Sequence, residues 1–162
     1  MIPVLRPYQR DAIDAVRRKI AAGAKRICLV APTGSGKTVI GADIIRSATA
    51  RGSRTLFIAH RKELIDQTFS KLADFGVPSG VIMAADHRTD DYHPTQVASI
   101  QTLSRRMDRL PPARLIIPDE CHHSLSETWT ELLKRYPDAI VLGLTATPWR
   151  SAKSAACFSI FT

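Results

Sequence analysis

The stretch that most restricts the fold of this chain is Ala31–Thr38, which reads Ala-Pro-Thr-Gly-Ser-Gly-Lys-Thr. It follows a short apolar run, Ile27–Val30, and precedes a segment of helical periodicity that begins near Lys37. A buried strand, a glycine-rich loop and a helix in this order predict a loop whose backbone N–H groups surround a phosphate. Gly34 and Gly36 permit the turn because they lack a Cβ atom. We therefore predict a nucleotide site.

The residues of this loop have separate roles in the prediction. Lys37 brings a positive charge to the outer phosphates, and the Thr38 hydroxyl suits Mg²⁺. The helix that follows adds its unpaired first-turn N–H groups. The pattern departs from the strict Walker A form at Ala31, where a glycine would stand. The residues predicted to bind ATP here are Pro32, Thr33, Gly34, Ser35, Gly36, Lys37 and Thr38.

Length and composition indicate one globular domain. The chain has 162 residues, of which 44% are apolar and 23% charged, as in ordinary globular proteins. No apolar run approaches the roughly 20 residues that span a bilayer, and the N-terminus lacks a signal-peptide pattern. Its three cysteines are far apart and form no C-x-x-C pair. These features predict a reducing, cytoplasmic location.

The net charge points to a polyanionic partner. The formal charge is +8 and the isoelectric point is about 9.9, so nucleic acid is the leading partner class. Arginines that are merely solvated on helix faces explain the charge equally well. The same two explanations stay open for the cluster Arg105, Arg106 and Arg109.

Apolar runs alternate with helical patterns along the chain. Strands are predicted at residues 26–30, 55–59, 81–83, 96–100, 115–117 and 140–144. Helices are predicted at 7–22, 37–50, 60–75 and 126–136, with a short basic helix after residue 101. This alternation predicts an α/β fold with a mostly parallel sheet and helices on both faces. Ligands of such sheets bind at the carboxyl ends of the strands.

A second candidate element of the site follows the apolar residues Leu115–Pro118. The acidic pair Asp119-Glu120 stands directly after them, which is the Walker B arrangement. Asp119 is predicted to hold Mg²⁺, and Glu120 to orient or deprotonate the attacking water. Pro118 removes a backbone donor where central strands need one. Two alternatives stay open: the last position of a strand tolerates the missing donor, or the missing donor perturbs the acidic pair.

The trio Cys121-His122-His123 invites a zinc interpretation. A structural zinc site needs four ligands, usually in two spaced clusters, and the sequence offers no second cluster. We therefore interpret His122 as a polar contact between the ATP site and what binds beyond it.

These residues resemble a known family. The segments 31–38, 119–122 and 145–147 are similar to motifs I, II and III of superfamily 2 helicases of the DExH-box group. The segments 6–9, 59–64 and 98–103 are similar to three further motifs of that group. The resemblance covers about residues 3 to 150 and is strongest to the branch of type III restriction translocase subunits and RadD-like helicases. It implies a RecA-like P-loop NTPase domain.

The resemblance also implies roles for individual residues. Arg6 and Gln9 would bind the nucleotide, with Gln9 hydrogen-bonded to the edge of the adenine. Arg61, Gln101 and Thr102 would contact the nucleic acid, for which DNA is favoured over RNA. The coupling of hydrolysis to strand movement would fall to Thr145, Ala146 and Thr147. The catalytic set would be Lys37, Asp119, Glu120 and His122.

The chain departs from the family's pattern after Pro148. Members of the family carry a second RecA-like domain, with an arginine finger, which would have to come in cis from a longer chain or in trans. We therefore expect residues 1–150, the ATP-binding domain, to bind ATP–Mg²⁺ and hydrolyse it very slowly, without unwinding. Residues 151–162 match no expected continuation and are interpreted as an atypical tail, with a truncated or frameshifted end among the alternatives.

Two other function classes stay open. The chain could be a non-enzymatic ATP-binding module or an inactive remnant that still folds. It could also be a small P-loop kinase, although a kinase needs an acceptor pocket and lid arginines, and this chain has Thr-Ala-Thr-Pro after its last predicted strand.

Overall fold

The computed structural model describes residues 2–119, 127–146 and 156–159. The helices within these residues are α1 (Pro7–Ala21), α2 (Lys37–Ala50), α3 (Lys62–Asp74), α4 (Ile100–Ser104) and α5 (Glu127–Lys134). The strands within the same residues are β1 (Arg26–Val30), β2 (Thr55–Ala59), β3 (Ser79–Ile82), β4 (Thr95–Ser99), β5 (Leu115–Pro118), β6 (Ile140–Thr145) and β7 (Ala156–Ser159).

The strands form one sheet in the order β3-β4-β2-β5-β6-β1-β7, and every pairing between neighbours is parallel. Strands that are buried on both faces have continuous apolar sequences rather than alternating ones. All five residues of β2 are buried, for example. The predicted α/β class is therefore confirmed, and all carboxyl ends of the strands lie at one edge.

Helices cover both faces of the sheet, also as predicted. One apolar cluster joins α1, α2 and α3 to the sheet through side chains such as Ile13, Ile45 and Leu72. The other joins α4 and α5 to the opposite face through Leu103, Trp129 and Leu132. Removal of this apolar surface from water is the main stabilising contribution, at about 25 cal/mol per Å².

The structure differs from the predicted elements mainly around the basic helix. α4 is only five residues long, and Arg105, Arg106 and Arg109 lie in the turns that follow it. β3 begins at Ser79, earlier than predicted, because Gly80 lets the strand approach Gln96 and the Asp90 carbonyl so closely that a Cβ would clash. Four residues of the predicted tail form β7, beside β1.

Within the described residues, no helix has the length and apolar character needed to cross a membrane.

Candidate functional site

The predicted site residues converge because of the sheet's topology. Ala31, His60, Ile100, Asp119 and Ala146 each directly follow a strand. Since the strands are parallel, these positions share the carboxyl edge. The glycine loop, the acidic segment and the segment after β6 are thus neighbours in space, although more than a hundred residues separate the first from the last.

The glycine loop has the backbone that its sequence predicts. Gly34 and Gly36 adopt φ angles of 79° and 80°, in the left-handed region that favours glycine. The Ser35 N–H donates to the Pro32 carbonyl at 3.1 Å, which closes the turn. Ser35 Oγ is buried and has no hydrogen-bond partner among the described residues, so a polar donor remains unused within the loop.

Lys37 lies over the start of this loop. Its Nζ donates to the carbonyls of Ala31 and Pro32, both at 3.2 Å. α2 begins at the same residue, and no side chain among the described residues caps it. Its first-turn N–H groups and the positive end of its dipole therefore join the ammonium. This donor set fits the oxygens of a polyphosphate.

Gln9 is engaged with the loop rather than projecting from it. Its side chain is buried, its Nε2 donates to the Ser35 carbonyl at 3.2 Å, and its Oε1 accepts from the Arg6 N–H at 3.0 Å. A Cβ at Gly36 would lie 2.5 Å from Gln9 Nε2. Each end of the amide thus makes one hydrogen bond within the protein, which leaves one N–H and one oxygen lone pair for a contact with adenine.

Tyr8 is a loop partner that the sequence analysis missed. Its hydroxyl donates to the same Ser35 carbonyl at 2.8 Å. Its position beside Gln9, just inside the first turn of α1, was the available signal, because adjacent residues at a helix start can both reach one neighbouring loop.

Asp119 lies two strands from the glycine loop. Its N–H donates to the Ile58 carbonyl at 2.9 Å, and it pairs with Leu144 of β6. Leu144 in turn pairs with Leu29 of β1, so about 10 Å of sheet separates Asp119 from the strand that carries the loop. Pro118 is the last residue of β5, and pairing continues through Asp119 despite the missing donor.

The segment after β6 is bonded to the loop directly. Thr145 is fully buried, and its carbonyl accepts from the Ala31 N–H at 2.9 Å. Ala146 follows it and is exposed. Glu120, His122 and Thr147, as well as Cys121 and His123, lie outside the described residues. Within those residues, no group of three or more His, Cys, Asp or Glu side chains is placed to hold a metal ion.

The residues predicted to contact nucleic acid lie at the same edge with different exposures. Arg61, which precedes α3, is exposed. Gln101 is exposed as well, and its Nε2 donates to the His60 carbonyl at 3.1 Å. Thr102 is buried, and its hydroxyl accepts from the Ala84 N–H at 3.2 Å. A ligand at this edge would therefore contact the residues around Thr102 more than the Thr102 side chain.

An ion cluster fixes the loop that covers Thr102. The Arg88 guanidinium contacts Asp86 at 2.5 Å and Asp66 of α3 at 2.6 Å, and it lies 5.1 Å from the centre of the Phe69 ring. Hydrogen bonds from Arg88 lower the pKa of Asp86 strongly, and the carboxylates raise the pKa of Arg88. The sequence analysis missed this cluster. The Asp86-x-Arg88 spacing was visible in a loop, but its distant partner Asp66 was not.

The sequence that forms this arrangement matches a known protein family. Residues 2–150 match the model described as "Type III restriction enzyme, res subunit".

Known relatives agree with the match. The EcoAI endonuclease subunit, a type I restriction enzyme of Escherichia coli, is 34% identical over 158 residues, which are 88% of this chain and 19% of that protein. The DNA 3'-5' translocase XPB2 of Sulfurisphaera tokodaii is 30% identical over 149 residues, 90% of this chain and 31% of the relative. The chain thus spans about a fifth to a third of the length of these relatives.

A solved structure supports the fold. The UvsW helicase from bacteriophage T4 superposes with a TM-score of 0.77 at 18% identity, over 95% of this chain and 59% of that one. The likeness shows that this sheet is the fold of a helicase RecA-like domain. Together with the family match, it shows that the chain belongs to the family of the type III restriction enzyme res subunit, as an N-terminal RecA-like domain.

Proposed function

We propose that the carboxyl edge of the sheet binds ATP with Mg²⁺, and that the domain hydrolyses ATP as part of a helicase or translocase acting on nucleic acid. The observation that supports this most strongly is the position of the Lys37 ammonium over a loop with two left-handed glycines, at the start of α2, which no described side chain caps. Few other ligands match so many donors as a polyphosphate does.

Each residue has a proposed role at this edge. The loop amides and Lys37 bind the outer phosphates, which replace the Ala31 and Pro32 carbonyls as partners of Nζ. Thr38 and Asp119 would supply oxygen ligands for Mg²⁺, which when bound would neutralise part of the phosphate charge. Glu120 orients or deprotonates the attacking water, and His122 links this site to the nucleic acid.

The bond from the Ala31 N–H to the Thr145 carbonyl supports a coupling role for the segment after β6. The segment 145–147 begins one hydrogen bond away from the loop. A change of loop shape on hydrolysis therefore has a direct backbone route to Ala146 and Thr147.

Nucleic acid, with DNA favoured over RNA, is the proposed partner. One relative is named as a DNA translocase, and the chain carries a formal charge of +8. Arg61 and Gln101 are exposed at the proposed edge. Contacts of this kind bind the backbone and are not sequence-specific.

The relatives are several times longer than this chain, so we propose that a second RecA-like domain completes the site. An arginine finger from such a domain is worth about 10³–10⁵ in rate in related phosphoryl-transfer sites. Turnover by the 162-residue chain is therefore expected to be very slow, without strand separation.

The test is ATP turnover by the purified chain, with single-stranded DNA, with RNA and without either, beside Lys37→Ala as the inactive control. Slow turnover that DNA stimulates and Lys37→Ala abolishes supports the proposal. ATP binding without any turnover would favour a non-enzymatic module. Turnover that a small-molecule phosphate acceptor stimulates, and nucleic acid does not, would favour a kinase.

A further inference from the structure

The edge of the sheet opposite the proposed ATP site carries a basic groove. Two cavities, of about 750 and 780 Å³, share Pro111 and Pro112 as lining residues. Lys25, Arg54, Pro94, Arg114 and Ala139 each directly precede a strand and line one of the two. Since all strands are parallel, the two cavities follow the amino edge. We call them together the amino-edge groove.

Arginine dominates the charge of the amino-edge groove. Among the residues that the structure describes, six arginines and one lysine line it, against three aspartates. Two of the aspartates are paired within the groove, Asp138 with Lys25 at 3.3 Å and Asp108 with Arg109 at 3.5 Å. The other five arginines form no side-chain hydrogen bond or ion pair with the residues that the structure describes. They are Arg54, Arg105, Arg106, Arg114 and Arg135.

The walls of the amino-edge groove are held rigidly. The Arg114 N–H donates to the Arg54 carbonyl at 2.9 Å, which fixes the spacing of these two residues. The Tyr136 hydroxyl donates to the Pro111 carbonyl at 2.6 Å, and burial raises the pKa of Tyr136 to about 12, so the phenol stays a neutral donor. Unpaired guanidinium groups on a fixed frame suit bidentate binding of phosphate.

We propose that the amino-edge groove binds the phosphodiester backbone of nucleic acid, as a second contact remote from the proposed ATP site. The path to it begins at α4. Gln101, at the carboxyl edge, and Arg105 are four residues apart, about one helical turn. From Arg105 the basic surface continues through Arg106 and Arg109 to Arg54 at the amino edge.

This inference rests on the proposed function, because it assumes that the domain acts on nucleic acid. It adds a route down the α4 face of the sheet and a function for the arginines after α4. An acidic protein segment is the competing occupant of a basic groove. Phosphate is favoured because five of the seven described cations are arginines without a side-chain partner among the described residues, and the guanidinium fork matches two phosphate oxygens.

The test measures binding of fluorescein-labelled oligo-dT and of a DNA duplex by fluorescence anisotropy over a range of KCl concentrations. The groove variant is Arg105→Gln/Arg106→Gln. The matched control is Arg10→Gln/Arg18→Gln, which removes the same charge from two exposed arginines of α1 on the other face. Thermal unfolding of both variants checks that the fold is kept.

The groove variant is expected to bind DNA about tenfold more weakly at low salt, with a slope of log K against log [KCl] that is shallower by about two. The control is expected to keep the slope of the unchanged protein. Equal slopes for the groove variant and the control would contradict the binding of nucleic acid in the amino-edge groove, and the proposed function would be unaffected.

Two further outcomes have separate meanings. If the unchanged chain binds no DNA at any salt concentration, both the groove and the nucleic-acid part of the proposed function are wrong. If labelled poly-glutamate binds as tightly as DNA and loses the same affinity in the groove variant, the groove is a site for acidic protein, and the assignment to nucleic acid is overturned.

Discussion

The two edges of the sheet are built in opposite ways. At the carboxyl edge, polar side chains fold back onto the backbone: Tyr8 and Gln9 bond the Ser35 carbonyl, and Lys37 bonds two carbonyls of its own loop. At the amino edge, side chains such as Arg54 and Arg106 are exposed and unpaired among the described residues. A five-residue strand separates the edges by about 16 Å. Specific hydrogen bonds therefore define the arrangement of the carboxyl edge, whereas positive charge is the main property of the amino edge.

The largest effect is expected at the carboxyl edge from Lys37→Ala. Loss of the ammonium removes the only side-chain cation of the glycine loop. ATP affinity or turnover should fall by about 100-fold or more, in line with the loss of one key donor in other enzymes. Stability should change little by comparison, because Lys37 is only half-buried and one of its two acceptors belongs to exposed Pro32. Equilibrium titration with a labelled ATP analogue measures the effect, and retained affinity would contradict the assignment.

The next effect in size concerns stability rather than ATP binding. It is expected from Gly36→Ala, with Gly34→Ala as its matched control. Both residues have φ near +80°, so both alanines cost about 1–2 kcal/mol of backbone strain. The Cβ at position 36 meets Gln9, whereas no atom of the described residues lies within 4 Å of a Cβ at position 34. Gly36→Ala should therefore lower the free energy of unfolding further, as measured by urea denaturation.

The double variant Gln9→Ala/Gly36→Ala sharpens that comparison. Removal of Gln9 removes the atom with which the new Cβ collides, so the two changes should not add. A strictly additive loss of unfolding free energy would mean that the Gln9 contact has no part in the cost of Gly36→Ala.

A pH-dependent effect is expected from Arg88→Gln, at the rim of the carboxyl edge. Asp86 has a pKa below its usual 3.8 in the folded state, so its stabilisation is present above about pH 4 and is lost as pH falls. The variant should lose about 1–3 kcal/mol of stability at neutral pH, because the buried Asp86 carboxylate loses the guanidinium and keeps the backbone N–H of residue 88 as a donor.

The matching control is Lys71→Gln, which breaks the partly exposed pair with Asp74 and should cost at most about 0.5 kcal/mol. Unfolding by urea at pH 7 and at pH 3 measures both variants. The difference between Arg88→Gln and the unchanged protein should shrink at the lower pH. A difference that stays constant with pH would show that Arg88 acts through packing on Phe69 alone.

The smallest effect on stability is expected at the amino edge. Arg54→Gln/Arg114→Gln removes two exposed side chains without partners among the described residues, so unfolding free energy should change by no more than about 0.5 kcal/mol. Thermal unfolding measures it. A loss above about 1 kcal/mol would show that these arginines hold the frame of the groove.

The parts of the fold that the sequence predicted well are those that local physics determines. β1, α2 and β2 match their predicted bounds, because continuous apolar runs and a glycine loop that opens a helix are signals contained in short stretches of sequence. The parts that it predicted poorly depend on distant residues. The start of β3 depends on the close approach of Gly80 to Gln96, and β7 is defined by its pairing with β1.

The same distinction holds for the candidate site. The glycine loop and its Lys37 were visible as a pattern, and Asp119 was found because it follows an apolar strand. The burial of Gln9 and Thr102 was not visible, because it results from contacts with Ser35 and with Ala84, which belong to other elements. The cluster of Arg88 with Asp66 was hidden for the same reason.

The order of the strands has a consequence for how this domain folds. The strand that carries the glycine loop lies between β6 and β7, whose residues are more than 110 positions later in the sequence. During synthesis at about 5–20 residues per second, the loop is made early but its supporting neighbours emerge several seconds later. Pairings of such long sequence separation also form slowly. The nascent chain should therefore acquire a glycine loop that is supported on both sides late and abruptly, when β6 inserts between β5 and β1.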